Sequence, residues 1–278
     1  MYLTLGAVIY FNEKQEIMDM LHSMEQALKF LCNQHNFDCE IMLIDNSAIR
    51  DSFFEEIQKE TGIAFSWIIS NENLGFGKAH NVLMKEAFKR DGSLYIAINP
   101  DGKLHFRCLD ELLKSSKKSG HNALIEARQI PTEHPKDYNP LTLETAWCSG
   151  ACLLIPRSIF LATSGFDENI FMYCEDVDLS WHAQVKGYKT KICPTAWFYH
   201  DTSQRKRASF VLERELFLAG RYLAHKWGDE KFSLWIESIM HKNNMIRDKA
   251  DLPQVEVKFE YKKNISVING FTFARNRW

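Results

Sequence analysis

No Cys-x-x-Cys pair occurs in this chain of 278 residues, and its seven cysteines are scattered and odd in number. A disulfide framework and a zinc site are therefore not expected, and a reducing, cytoplasmic setting is. No apolar stretch approaches the roughly 20 residues that cross a bilayer. Nor does the N-terminus carry a basic leader with a small-residue cleavage site. Any membrane contact is thus expected to be peripheral. A net charge of −2 gives no argument for nucleic acid as a partner. Internal repeats and low-complexity tracts are absent, as are a Walker A loop and a GxGxxG fingerprint.

What is present is an ordinary globular composition, 45% hydrophobic and 25% charged, on a chain long enough for one deep-cored body and a smaller appendage. Residues 1–200 are acidic by seven charges and residues 201–278 basic by five. The first part alternates short apolar runs with amphipathic segments. LGAVIYF (5–11), EIMLIDNS (40–47), FSWIIS (65–70) and LYIAINP (94–100) read as buried strands. Between the first two, Ile17, Met20, Leu21, Met24, Leu28 and Leu31 recur at helical spacing, and Asn12 is placed to cap that helix. This β-α-β-α order predicts a Rossmann-like, mostly parallel sheet flanked by helices on both faces. Residues 131–146 read as a loop. CSGACLLIP (148–156) and TKICPTAWFYH (190–200) read as strands, and residues 175–186 as a helix. Two amphipathic helices follow residue 208, and 255–268 alternate weakly, as a hairpin does. The organisation predicted is a body, 1–207, with a helical extension, 208–278.

Ligands of such sheets bind outside the carboxyl ends of the strands. Asn12, Asp45, Asn73 and Asp101 all fall just past predicted strand ends. Asn99-Pro100-Asp101-Gly102 ends a buried strand on a carboxylate. Taken alone it is a turn signal, and as a site it would suit a hard divalent cation carrying phosphate oxygens. Asp45 reads equally as an Asx turn or as a carboxylate facing a nucleobase or ribose. In NLGFGKAHN (73–81), Gly75 and Gly77 permit close backbone approach at a helix start, and Lys78 is placed to face a phosphate. Glu175, Asp176 and Asp178 put three acids in four residues among apolar neighbours. They either favour a helix N-terminus or supply a general base. On a helical wheel, 175 and 178 share a side and 176 points elsewhere. His200, at a strand end, is a second candidate ligand.

Taken in order, AVIYFN, LIDNS, NLGFGKAHN, INPDG, WCSGACLLIPR, GFDENIFMYCEDVDLSWHAQVKGY and YHD resemble glycosyltransferase family 2, with the GT-A fold, over residues 3–203. The resemblance is nearest to the rhamnosyltransferase-like branch, in which Asn-Pro-Asp stands for the usual Asp-x-Asp. It implies an inverting transfer of a sugar, rhamnose for that branch, from a dTDP- or UDP-sugar to a hydroxyl of a saccharide or lipid-linked glycan acceptor in cell-envelope polysaccharide assembly. It implies Asp101 and His200 as ligands of Mg²⁺ or Mn²⁺, with Asn99 weak. Tyr10, Asn12, Asp45, Asn73, Gly75, Lys78 and Asn81 would lie on the donor side. Trp147, Ser149 and Gly150 would lie under the acceptor, with Asp176 as base and Glu175 as the second choice. The basic extension suits either a peripheral contact at the inner face of the plasma membrane or a homodimer interface. Two other readings remain: a sugar-phosphate nucleotidyltransferase, though no glycine-rich loop with Arg and Lys follows the first strand, and a non-catalytic nucleotide-sugar-binding protein.

Overall fold

The first strand, β1 (Tyr2–Ile9), sends Leu3, Leu5, Ala7 and Ile9 to one face of the sheet and Val8 to the other, the period of two that a two-sided core requires. A computed structural model describes residues 2–36, 38–48, 51–90, 93–134, 136–201 and 210–254. After β1 the order is α1 (Lys14–Gln34), β2 (Asp38–Asp45), α2 (Asp51–Thr61), β3 (Ser66–Ile69), α3 (Gly75–Ala87), β4 (Ser93–Ile98), β5 (Lys103–Leu104) and α4 (Cys108–Lys118). Then come β6 (Ala123–Ile130), β7 (Cys152–Pro156), α5 (Arg157–Thr163), α6 (Glu175–Val185), β8 (Lys189–Tyr199), α7 (Phe210–Lys226) and α8 (Glu230–Lys242).

The strands form one eight-stranded sheet in the order β3-β2-β1-β4-β7-β6-β8-β5. β1 pairs in parallel with β2 and β4, β2 with β3, and β6 with β8. β7 runs antiparallel between β4 and β6, and the short β5 antiparallel to β8. The sheet is therefore mostly parallel, as expected. The carboxyl ends of β1, β4, β6 and β8 share one edge, and β7 starts from that edge, so the loop before β7 is delivered there too. Helices α1, α2 and α4 cover one face through Met20, Phe54 and Leu112, and α3, α5 and α6 cover the other through Leu83, Ile159 and Leu179.

One local expectation is corrected. Asn12 does not cap α1, whose N-cap is Glu13. The Asn12 Oδ1 instead accepts from the Tyr10 N–H (2.9 Å) and its Nδ2 donates to Glu16 (2.6 Å), because Phe11 turns back at φ 52°. Asp178 is a structural residue of its helix, its carboxylate drawn into a bonded network with α7, described below.

Among the described residues of 208–278, α7 and α8 are helical, and α7 packs on α6 and the loop before β7 through an apolar cluster. Leu223, Ala224 and Trp227 close over Trp147, Val177 and Trp181. The hairpin expected at 255–268 and the boundary at 207/208 lie outside the described residues.

Gly6 is required by close approach. A Cβ there would stand 1.8 Å from the Tyr95 hydroxyl, whose ring crosses β1 at that point. Gly6→Ala is expected to cost about 1–3 kcal/mol or more through forced repacking, read as a lower urea midpoint at unchanged slope.

Candidate active site

At the shared strand edge lies an open cleft of about 580 Å³. Its walls come from the turn after β1 (Tyr10, Asn12), the turn after β4 (Asn99, Pro100, Asp101), the end of β6 (Gln129) and the residue after β8 (His200). The loop before β7 (Ser149, Gly150, Ala151) and the start of α6 (Glu175, Asp176) complete it. Asn99 is fixed by its N–H, which donates to the Ala151 carbonyl at 2.8 Å, and Gly102 closes the turn by donating to the Asn99 carbonyl at 3.2 Å. Gly102 has no substitute here, since a Cβ would meet the Phe198 ring at 2.0 Å.

On one side of the cleft, the Asp101 Oδ1 lies 3.2 Å from the His200 Nε2, and the Asn99 Nδ2 lies 3.4 Å from the same nitrogen. The His200 Nδ1 meets the Gln129 Oε1 at 2.8 Å. The Gln129 Nε2 is directed at the Glu126 Oε1 at 3.5 Å, so its amide oxygen is the end that faces His200. His200 then donates from Nδ1, and its Nε2 faces Asp101. A carboxylate oxygen and an imidazole nitrogen at that separation share a cation or a proton. This donor set, one hard oxygen and one imidazole nitrogen, is chemically compatible with a hard divalent cation. Among the described residues, no group of three or more His, Cys, Asp and Glu side chains is gathered for a metal.

On the other side, the Asp176 carboxylate is held by two backbone donors. Gly150 N–H donates to Oδ2 at 3.0 Å and Val177 N–H to Oδ1 at 2.8 Å. The strained entry into α6, with Tyr173 at φ 69° and Cys174 at φ 63°, turns the first helical residues towards the cleft. Glu175 and Asp176 therefore both line it. Asp178, one turn deeper, accepts from the Lys226 Nζ (2.8 Å) and the Trp227 Nε1 (2.9 Å) of α7.

Six expected residues lie outside the cleft walls. Asp45 is fully buried and its Oδ1 accepts from the Ser47 N–H and hydroxyl (2.9 and 2.6 Å), while the Ser47 hydroxyl accepts from the Phe11 N–H. Asp45 thus braces the Tyr10–Phe11 turn from behind. The Asn73 Oδ1 accepts from the Gly75 N–H. Gly75, at φ 73°, leaves room for the Phe171 carbonyl, which a Cβ would meet at 2.0 Å. Lys78 lies 3.6 Å from Glu72 rather than over the cleft. Asn81 clamps the Phe166 backbone in both directions (2.8 and 2.9 Å). Trp147 is buried, with the Lys136 ammonium 4.0 Å from its ring centroid.

Sequence reasoning missed Phe76, Gln129 and Tyr173 in the walls, and Glu126 and Lys136 behind them. Glu126 left a signal: it is the lone acid in the apolar strand ALIEARQI. Burial pushes its carboxyl above the usual carboxylate value, against the pull of Lys136. Beneath Phe76, burial holds His80 down at about 3, so it is a neutral ring bonded to the Tyr95 hydroxyl at 2.7 Å.

No family model matches the chain. It is 26% identical over 250 residues to the rhamnosyltransferase WbbL of Escherichia coli K12, covering 76% of this chain and 92% of that one. It is 39% identical over 107 residues to the N-acetylglucosaminyl-diphospho-decaprenol L-rhamnosyltransferase of Mycobacterium tuberculosis, but spans only 36% of this chain and 32% of that one. Among solved structures, the mannosyltransferase of Pyrobaculum calidifontis, in complex with GDP-Man and Mn²⁺, superposes with a TM-score of 0.57 at 13% identity, covering 86% of this chain and 75% of that chain. Fold and sequence likeness together make this chain a glycosyltransferase of the GT-A fold.

Proposed function

We propose that the chain transfers a sugar, of rhamnose type, from a dTDP- or UDP-linked donor to a hydroxyl of a saccharide or lipid-linked acceptor, with inversion at the anomeric carbon. The observation that carries this reading is the meeting, in one cleft, of the Asp101–His200 pair with the Asp176 carboxylate. Asp101 and His200 would hold Mg²⁺ or Mn²⁺, which offsets charge on the departing nucleoside diphosphate when bound. Tyr10, Asn12 and Asn99 border the donor side. Asp176, aimed by Gly150 and Val177, takes the proton from the attacking acceptor hydroxyl, and Glu175 stands beside it. Ser149 and Gly150 form the floor under the acceptor. The names of the two rhamnosyltransferase relatives support the donor class, and the second supports a lipid-linked acceptor.

We read residues 1–207 as the catalytic unit and the rest as an extension, on the cytoplasmic side of the membrane. Among the described residues, no helix is long and apolar enough to cross a membrane. Exposed Phe210, Val211, Leu234 and Trp235 on α7 and α8, in a region of net positive charge, suit a peripheral membrane or dimer contact.

The test is a thermal-shift and hydrolysis panel of dTDP-, UDP- and GDP-sugars with and without Mn²⁺. One nucleotide class is expected to stabilise the protein in a Mn²⁺-dependent way, by about 2.7 kcal/mol at 100 times its Kd. No shift with any nucleotide, or pyrophosphate release from a nucleoside triphosphate, would overturn the reading.

A further inference from the structure

Behind the cleft lies a buried polar group that the transfer reaction as described does not use. Glu126 is 2% exposed, and it sits in the middle of an apolar strand. Its Oε2 accepts from the Ser149 N–H at 2.7 Å and from the Lys136 ammonium. Lys136 in turn donates to the Trp147 carbonyl at 2.9 Å. The Glu126 Oε1 receives the Gln129 amide, whose other end meets the His200 Nδ1. Two chains of bonds therefore leave one carboxylate. The first runs through Gln129 to His200, whose Nε2 stands 3.2 Å from Asp101. The second runs through Ser149 to the adjacent Gly150, whose N–H holds Asp176.

We infer that Glu126 is a positioning residue that sets both halves of the cleft, selecting the His200 tautomer through Gln129 and fixing the loop that aims Asp176 through Ser149. An amide can present either end to histidine. A carboxylate behind Gln129 accepts only from its NH₂, which leaves the carbonyl oxygen for the imidazole N–H. His200 is then bound to present a bare Nε2 to Asp101, as a ligand's outer partner does in metal sites. Lys136 offsets the cost of burying the Glu126 charge, and its bond to the Trp147 carbonyl ties the same loop one step earlier.

The inference rests on the transferase reading, and its test separates the two. Imidazole-¹⁵N NMR of the full chain reports the His200 tautomer without nucleotide or metal. The wild type is expected to carry its proton on Nδ1. Gln129→Leu, and Glu126→Gln with its reversible amide, are expected to shift it to Nε2 or to a mixture. Gln129→Met provides the same loss if Gln129→Leu does not fold. In a second arm, Mn²⁺ affinity is read by electron paramagnetic resonance in the presence of dTDP and of UDP. Gln129→Leu is expected to weaken it roughly 10–100-fold. A wild-type His200 with its proton on Nε2, or a tautomer and Mn²⁺ affinity unchanged in the variants, would overturn the assignment. A wild type that binds no Mn²⁺ with either nucleotide would instead count against the transferase reading, and the tautomer arm would still decide the role of Glu126.

Discussion

Asp176→Asn is expected to lower turnover by about 10²–10⁴-fold, the range that one general base supplies. The substitution keeps the shape of the side chain and removes its capacity to take a proton. It also puts an NH₂ where either the Gly150 or the Val177 N–H now finds an acceptor, at a cost of about 1–3 kcal/mol. A domain stable by about 5–15 kcal/mol survives that. Far-UV circular dichroism should be unchanged while nucleoside diphosphate release falls. The loss should sit in kcat and leave donor KM little changed, because the base acts on the acceptor proton only as the bond forms. Asp101→Ala is the companion. It should also abolish transfer, but by removing the carboxylate beside His200, so that Mn²⁺ no longer alters nucleotide affinity. Wild-type turnover in either variant would refute the role assigned to it.

Lys226→Met is expected to cost about 3–5 kcal/mol, since it leaves buried carboxylates without their counter-charge. Lys226 is 6% exposed and donates to Asp167 at 2.6 Å and to Asp178 at 2.8 Å. Burial works against the charge on this lysine, yet the two carboxylates outweigh it and raise its pKa. Burial likewise pushes Asp167 up, and Lys226 outweighs it, so the Asp167 carboxyl ends below the ordinary value of 3.8. A lowered folded value means that the Asp167 contribution is complete above that pH and is lost as the pH falls through its folded pKa. Melting at neutral pH should show a drop of roughly 10 °C. The acid-side loss due to Asp167 should vanish in the variant, and an unchanged melting temperature would remove the network from any account of stability. Activity should fall as well, since α6 carries Asp176 two residues before Asp178.

Much of this architecture is legible in the chain because parallel strands buried on both faces read as short apolar runs, as β1, β4 and the second half of β2 do. The direction of β7 is not legible. CLLIP is equally apolar whichever way it runs, and only its place between β4 and β6 sets it antiparallel. β5 is two residues long and exists only because β8 lies beside it. In the site, Asn99, Asp101, Asp176 and His200 were readable because acids and a histidine end apolar segments there. Asp45, Asn73, Lys78 and Asn81 carry the same polar signal but are engaged by the turns and the ion pair around them. Gln129 was hidden because its partner lies 71 residues away, and Glu126, though the lone acid of its strand, gave no hint of a partner 23 residues away.

The Lys226–Asp178 bond spans 48 residues of sequence, and this sets an order of events during synthesis. The sheet and all of its covering helices can be complete while α7 is still being made. Until then the acidic helix of the cleft has no counter-charge, and Trp147 and Trp181 have no cover from Leu223 and Trp227. The nascent enzyme therefore becomes competent late. A chain released early would display a tryptophan-lined surface, the kind of feature by which chaperones and proteases recognise unfinished proteins.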